Sequence, residues 1–317
     1  MIDKEEYLIS YANLKSNLFK HQKDFINDKK LKTFYKNPFF GMPQCLPINI
    51  KYFNYSKSKF FKINQLEFSK NIFHTNNLEY IGNKKFFRYG NIFATNVTLK
   101  KEYKRKFQYY LNNILNSKKK IKSLNKIYKN VCSMQIRNVP HFGHEAVFKY
   151  LLSKFDFLIL NPIFGLKKKN DFKDIFISKS LKFIEKKYKK IKFIPIYSNF
   201  YYGGPREALH HLSIREKLGF NFFYIGRDHA GAENMYSPFQ AINKSLKYSK
   251  KFKIKQVTAK GGCFCETCKK YVIKGICRHK AYTDISGTEF RKYLFSNEFY
   301  HHADKSMQKL LLNKKND

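Results

Sequence analysis

The chain has 317 residues, 43% of them hydrophobic, with 33 Phe and 23 Tyr, which is enough for a large core and favours two domains or more. Its net charge of +40 invites a polyanion partner, but only 8 of the 63 basic residues are Arg, and the Lys are scattered rather than gathered in a stripe. Abundant Asn, Ile, Phe and Tyr and the absence of Trp fit a codon bias better than a nucleic-acid surface; no apolar run reaches transmembrane length and no signal-peptide pattern opens the chain, so a cytoplasmic protein without a membrane partner is expected.

Under such a bias the rare residues are informative. Six of the eight Arg lie between Arg137 and Arg291, and eleven of the 14 Gly between Gly143 and Gly287. Positions that keep a planar bidentate donor or an open backbone against drift mark the C-terminal two-thirds as the seat of the chemistry.

In chain order, residues 1–40 are polar and Lys-rich, with weak helical periodicity over 7–18. Residues 40–100 read as short extended pieces at 45–53, 60–63, 86–93 and 94–99, punctuated by Pro43, Pro47, Gly82 and Gly90. This predicts a small β-rich domain, followed over 101–126 by a Lys-rich helix with a solvated face. From residue 127 the pattern alternates: strands at 127–134, 155–160, 191–197 and 221–225, helices at 145–154, 172–189 and 206–218, the last stopped by Gly219. That alternation predicts an α/β fold, a parallel sheet covered by helices, over residues 127–250. Residues 1–126 form the preceding unit and 251–317 a C-terminal subdomain.

Every unusual polar stretch falls just after a predicted strand, the edge at which open α/β sheets bind nucleotides. After the first comes Gln-Ile-Arg-Asn-Val-Pro-His-Phe-Gly-His at 135–144, with donors and two imidazoles leading into a helix N-terminus that suits an anion. Asn-Pro-Ile-Phe-Gly at 161–165 follows the second strand. After the third comes 198–204, leading to Gly-Pro-Arg-Glu-Ala-Leu-His-His at 204–211, whose Pro205 suits a helix start and whose His210 and His211 read as ordinary helix residues. Gly-Arg-Asp-His-Ala-Gly at 226–231 follows the fourth and supplies a planar cation between two glycines, fit to hold a tetrahedral oxyanion. Further on, Ser286-Gly-Thr-Glu289 has capping-box spacing and opens a helix carrying Arg291.

The cysteines are too few for a disulfide scaffold. Cys265, Cys268, Cys277 and His279 offer three thiolates and an imidazole, a closed tetrahedral set suited to structural zinc, with Cys263 as a spare thiol nearby.

The stretches 135–144, 204–211, 226–231 and 286–291, in this order and spacing, resemble the ATP sulfurylase (sulfate adenylyltransferase) family over about residues 127–295. The resemblance implies a Rossmann-like nucleotidyltransferase sheet, an N-terminal β-rich PUA-like domain, a small zinc-bearing C-terminal subdomain and a homo-oligomer. It implies ATP, sulfate, adenosine phosphosulfate and pyrophosphate as ligands and Mg2+ on the nucleotide. By position, sulfate would meet Gln135, Arg137, Arg227 and Ala230. ATP would meet Gln135, Ile136, Arg137, Asn138, His141, His144, Gly226, Arg227, Asp228, His229 and Val257. Arg137, Asn138, His141, His144 and Arg227 would carry catalysis. Two departures from the family pattern stand out: Ile136 where many members have Thr, and Val139 ahead of Pro140. The alternatives are an adenylyltransferase with another acceptor and a basic zinc-containing nucleic-acid-binding protein.

Overall fold

The computed structural model describes residues 4–167 and 171–312. At its centre five short strands form an all-parallel sheet. In space they run Lys255–Thr258, Phe222–Ile225, Val131–Met134, Phe157–Leu160, Ile191–Phe193. Numbered along the chain this is 5-4-1-2-3. The first strand therefore sits between the second and the fourth, and the winding direction reverses between strands one and four. Such a reversal opens a crevice above the carboxyl ends of the two strands that flank it.

Strict alternation along the strands divides the apolar residues between two cores. Val131, Phe157, Ile159, Phe223 and Ile225 face one way; Cys132, Met134, Leu158, Leu160 and Tyr224 face the other. The second face is covered by the helices Phe142–Leu152, Asp174–Lys187, Gly287–Phe295 and Lys305–Leu312. The first is covered by the helix Gly204–Leu218 and by the N-terminal segment, whose Leu8, Phe19, Phe34 and Phe53 are buried in the same cluster as Phe223. At roughly 1.5–3 kcal/mol for each large side chain removed from water, these four alone tie the N-terminal residues firmly to the sheet.

That segment is less β-rich than its sequence suggests. A three-stranded antiparallel sheet (Leu46–Pro47, Ile92–Thr95, Lys59–Lys62) is accompanied by helices at Glu6–Lys15, Asp28–Lys36 and Ile81–Phe87. Phe86 and Phe87, read as the start of a strand, lie in the last of these. Both rings pack on Phe68, with centroids 3.9 and 5.2 Å away, and an aromatic pair carries no period by which sequence alone separates helix from strand. The Lys-rich helix runs as Lys104–Ile127 and buries a stripe of Tyr110, Ile114, Ser117 and Ile121 at helical spacing.

Other boundaries shift for local reasons. The first central strand begins only at Val131, because the long helix continues through Ile127. The third divides at Pro195, which has no N–H to donate. Ile191–Phe193 stays in the sheet, and Ile196–Tyr197 pairs in parallel with Ile163–Phe164. The fifth strand, Lys255–Thr258, lies beyond residue 250, so the sheet continues past the expected boundary. Gly219 caps its helix in the left-handed region at φ 96°, as expected. Among the described residues no helix is long and apolar enough to cross a membrane.

Candidate active site

The crevice at the reversal point is real, and it is polar. A cleft opens between the loops that follow Val131–Met134 and Phe222–Ile225. Gln135, Arg137, Asn138, His141 and His144 line it from one side; Gly226, Arg227, Asp228, His229 and Ala230 line it from the other.

The alternation of the first strand persists one turn past its end. Gln135 and Arg137 face the cleft, and Ile136, only 2% exposed, points into the apolar cluster around Met134 and Val139. The Ile136 side chain therefore does not reach the cleft, and a hydroxyl at this position would meet hydrocarbon. Val257 also lies off the cleft, half-buried on the edge strand. Gln135 Oε1 is buried with no hydrogen bond inside the protein, which leaves its amide to a ligand. Arg137 Nη1 reaches Gly231 O across the cleft at a long 3.5 Å. Asn138 Oδ1 accepts from Arg291 Nη1 at 2.7 Å, so the capping-box helix acts on the site through Asn138. Its own N-cap forms as expected, with Ser286 Oγ accepting from Glu289 N–H at 3.3 Å.

The helix expected at 145–154 starts at Phe142, with His141 at the N-cap and His144 in the first turn. The two rings lie 3.9 Å apart, and the His141 N–H donates to His144 Nδ1 at 3.2 Å. Nδ1 of His144 is thus an acceptor, and a neutral His144 keeps its proton on Nε2. Burial holds His144 down to about 4, and burial with the adjacent imidazoles of His144 and His302 holds His141 well below the usual histidine range. Both are neutral donors at pH 7, at the positive end of a helix.

The opposite loop is held by two residues in the left-handed region, Asp228 at φ 51° and Ala230 at φ 59°, and by Asp228 N–H donating to Pro238 O at 2.7 Å. Arg227, 41% exposed, contacts Asp284 Oδ2 at 3.3 Å. The loops after the second and third strands are mostly structural. Asn161 is fully buried and ties Ile194 O at 2.6 Å, and only Phe200 of 198–204 reaches the cleft. Arg206 is fully buried as well, donating to Gly41 O, Asn71 O and Phe34 O at 2.9, 3.3 and 2.6 Å.

Five histidines behind and within the site share one physical state. His141, His211 and His229 are held well below 6.5, His144 at about 4 and His210 at about 3, in each case chiefly by burial. The unfolded chain takes up protons below pH 6.5 that the folded chain refuses. Stability is therefore complete above 6.5 and falls as the pH drops from 6.5 toward 4. Thermal melts should give a flat midpoint from pH 7 to 8 and a steep decline below 6. His210→Gln should flatten that decline; an unchanged slope would remove His210 from the account.

At the C-terminal tip, Cys265, Cys268, Cys277 and His279 bring their ligand atoms within 4.8 Å of one another. Cys277 Sγ lies 3.8 Å from Cys265 Sγ, and His279 Nδ1 lies 3.4 Å from both sulfurs. Two sulfurs about 2.3 Å from one tetrahedral ion stand about 3.8 Å apart, so this group could hold a metal ion without rearrangement. The Cys268 N–H directed at Cys265 Sγ draws that thiol down to about 6, toward the thiolate a metal needs. Cys263, the spare, turns its thiol to Val272 O at 3.7 Å and stands outside the set.

The strand Gly262–Cys265 leading to this cluster crosses the helix Phe142–Leu152 backbone to backbone. A Cβ at Gly262 would sit 2.0 Å from Gly143 O. Gly261, Gly262 and Ile285 line the cleft, and Asp284 meets Arg227 beside it. Sequence reasoning missed these four. The signal was the Gly-Gly pair at 261–262 in a glycine-poor chain.

A family model for ATP-sulfurylase matches residues 114–301. The chain is similar to the sulfate adenylyltransferase of Pyrococcus abyssi, 32% identical over 238 residues, 73% of this chain and 62% of that protein. It is also similar to that of Ignicoccus hospitalis, 38% identical over 176 residues, 54% of this chain and 46% of that protein. It thus spans less than two thirds of the length of these relatives. Among solved structures, a hexameric APS kinase from Thiobacillus denitrificans superposes with a TM-score of 0.65 over 99% of this chain and 63% of that one; at 8% identity the likeness concerns the fold alone.

Proposed function

The chain belongs to the ATP-sulfurylase family, and we propose that it is a sulfate adenylyltransferase: ATP and sulfate give adenosine 5′-phosphosulfate and pyrophosphate. The observation that carries this reading is the convergence of Arg137 and Arg227 from the two strands that flank the reversal point. Two planar cations then share one cleft with two neutral imidazoles.

A sulfate oxygen would attack the α-phosphorus in line, and the bond from that phosphorus to the bridging oxygen of pyrophosphate would break. Sulfate is already ionised, so no base is required. The difficulty is to bring two anions together and to spread charge over the reacting phosphoryl group, which positioning and fixed donors answer. Arg137, Arg227, Gln135 and the Ala230 N–H would hold sulfate. Asn138, fixed by Arg291, would meet the phosphates with His141 and His144, and the Nε2–H of His144 suits an oxyanion. Gly226 to His229 would line the nucleotide.

Magnesium would enter on the triphosphate. Among the described residues Asp228 is the one carboxylate lining the cleft, too few for a protein-built magnesium site. Zinc is the metal proposed for the Cys265, Cys268, Cys277 and His279 cluster. A PUA-like element at 1–126, a Rossmann-like core that runs from 127 through its fifth strand Lys255–Thr258, and a zinc-bearing tip beyond it belong to the same reading. Its support is the small antiparallel sheet of the first part and the four-ligand cluster of the last.

The test is ATP formation from adenosine phosphosulfate and pyrophosphate with magnesium. Turnover is expected. No ATP from a folded, metal-loaded protein would overturn the reading in favour of another acceptor.

A further inference from the structure

The helix Phe142–Leu152 has two faces with different surroundings. Gly143, His144 and Val147 line the cleft. Phe142, Glu145 and Ala146 turn away from it and line a separate hollow shared with Tyr188. That far side holds a buried carboxylate which the reaction as proposed does not use. Glu145, 5% exposed, accepts from the Tyr188 hydroxyl at 2.5 Å, and Lys187 Nζ forks to its two oxygens at 3.1 and 2.9 Å. Lys187 ends the helix Asp174–Lys187, and its Nζ also meets Asp304 Oδ2 at 2.9 Å. The other oxygen of Asp304 accepts from Ser306 N–H at 3.0 Å and Met307 N–H at 3.3 Å, which caps the C-terminal helix Lys305–Leu312. Three helices thus meet at one lysine.

We propose that Glu145, Lys187 and Tyr188 are positioning residues that set the rotation of the helix Phe142–Leu152 about its axis, and so aim His144, with His141 against it, at the reacting phosphoryl group. For what the imidazoles do, the inference rests on the adenylyltransferase reading; it deepens that reading by naming what holds them. A histidine ring stands about 6 Å from the axis of its helix, so a turn of about 10° carries it about 1 Å. A misplacement of about 1 Å is enough to cost about a hundredfold in rate. Apolar contacts resist such a turn weakly, because the hydrophobic effect has no direction. Phe142 packs on Tyr271 with ring centroids 4.7 Å apart and could slide along it. Hydrogen bonds to a carboxylate are directional, and they converge on Glu145, one residue after His144. The start of the helix is tied as well, with Phe142 N–H donating to His302 O at 2.8 Å. A buried ion pair adds little net stability, since desolvation offsets its attraction. What Glu145 and Lys187 contribute is direction.

Two measurements decide it. The first compares three proteins with the wild type, each well below its melting midpoint. Glu145→Leu combined with Lys187→Met exchanges the pair for hydrocarbon of similar volume, which leaves stability near the wild-type value. Lys187→Arg keeps a forked donor. Tyr188→Phe removes one hydrogen bond and no charge. The proposal expects kcat for ATP formation to fall by about tenfold or more in the double variant, by a smaller factor in Tyr188→Phe, and to stay near wild type in Lys187→Arg. KM for adenosine phosphosulfate should hold in all three. A merely structural pair would move the melting midpoint and leave kcat alone. Wild-type kcat in a folded double variant overturns the proposal; if that variant does not fold, wild-type kcat in Tyr188→Phe does so.

The second is nitrogen NMR of the His144 ring, its signals identified by their loss in His144→Gln. His144 Nδ1 accepts from the His141 N–H at 3.2 Å. The donor belongs to the loop and the acceptor to the helix, so this bond reports any turn of one against the other. The Nδ1 signal should shift in the double variant and in Tyr188→Phe, and should stay in place in Lys187→Arg. A signal unmoved in both of the first two overturns the proposal whether or not the protein is active. Shifted signals alongside a wild-type protein that makes no ATP overturn the sulfate reading instead and leave the helix alignment standing.

Discussion

Replacing Arg137 by alanine is expected to lower the rate of ATP formation from adenosine phosphosulfate and pyrophosphate by roughly 10²–10³-fold, the usual cost of removing one preorganised donor to a developing charge, with little change in melting temperature. The physical ground is what Arg137 lacks. It is half-buried, it touches the protein through one long contact to Gly231 O, and among the described residues no carboxylate pairs with it. A guanidinium kept in a cleft without a counter-ion is poised for an anionic ligand. The other arginines of this region differ. Arg206 and Arg215 are fully buried; Arg206 donates to three backbone carbonyls, and Arg215 Nη2 donates to Asn161 O at 2.8 Å while its Nε and Nη1 have no hydrogen bond. Removing Arg206 would orphan those carbonyls and damage the fold. A parallel melt therefore separates a lost clamp from a lost scaffold. An Arg137→Ala protein that folds and turns over at the wild-type rate would refute the sulfate clamp.

The placement of the site was legible because two periodicities and one scarcity agreed. Strand alternation put the motifs at carboxyl ends, and the rarity of Arg and Gly singled out Arg137, Arg227 and Gly226 from a background rich in Lys and Asn. The same alternation, followed one residue further, would have turned Ile136 away from the cleft. What the sequence withheld was tertiary. The packing of the N-terminal residues on one face of the sheet depends on Leu8, Phe19 and Phe34 meeting Phe223, contacts with no local signature. The contribution of Asp284 and the Gly261-Gly262 pair needs the antiparallel pairing of Cys263 with Asp284, which brings the tip back over the cleft. His211 looked like an ordinary helix residue because its partner, His229, lies eighteen positions away, beyond a helix end and a strand.

That return of the tip makes metal removal the other large effect. Chelating the ion, or replacing Cys268 with Ser, should lower the melting temperature by roughly 5–10 °C, since a closed four-ligand site contributes folding free energy directly and about 1 kcal/mol moves the midpoint by a few degrees at this size. The loss should not stay local. The strand Gly262–Cys265 carries the first ligand, and its start presses on Gly143 at the N-terminus of the helix that positions His141 and His144. Freeing the tip would loosen the cleft wall formed by Gly261 and Gly262, so activity should fall alongside stability. Gly262→Ala separates the two consequences. Its Cβ would meet Gly143 O at 2.0 Å, a backbone atom that cannot swing aside as a side chain would, so this protein should keep its metal yet lose turnover. Measured metal content, melting temperature and rate then form a pattern: Cys268→Ser loses all three, and Gly262→Ala keeps the first and loses the last. A melting temperature indifferent to chelation would remove the structural metal, and full activity in Gly262→Ala would break the link between the tip and the helix Phe142–Leu152.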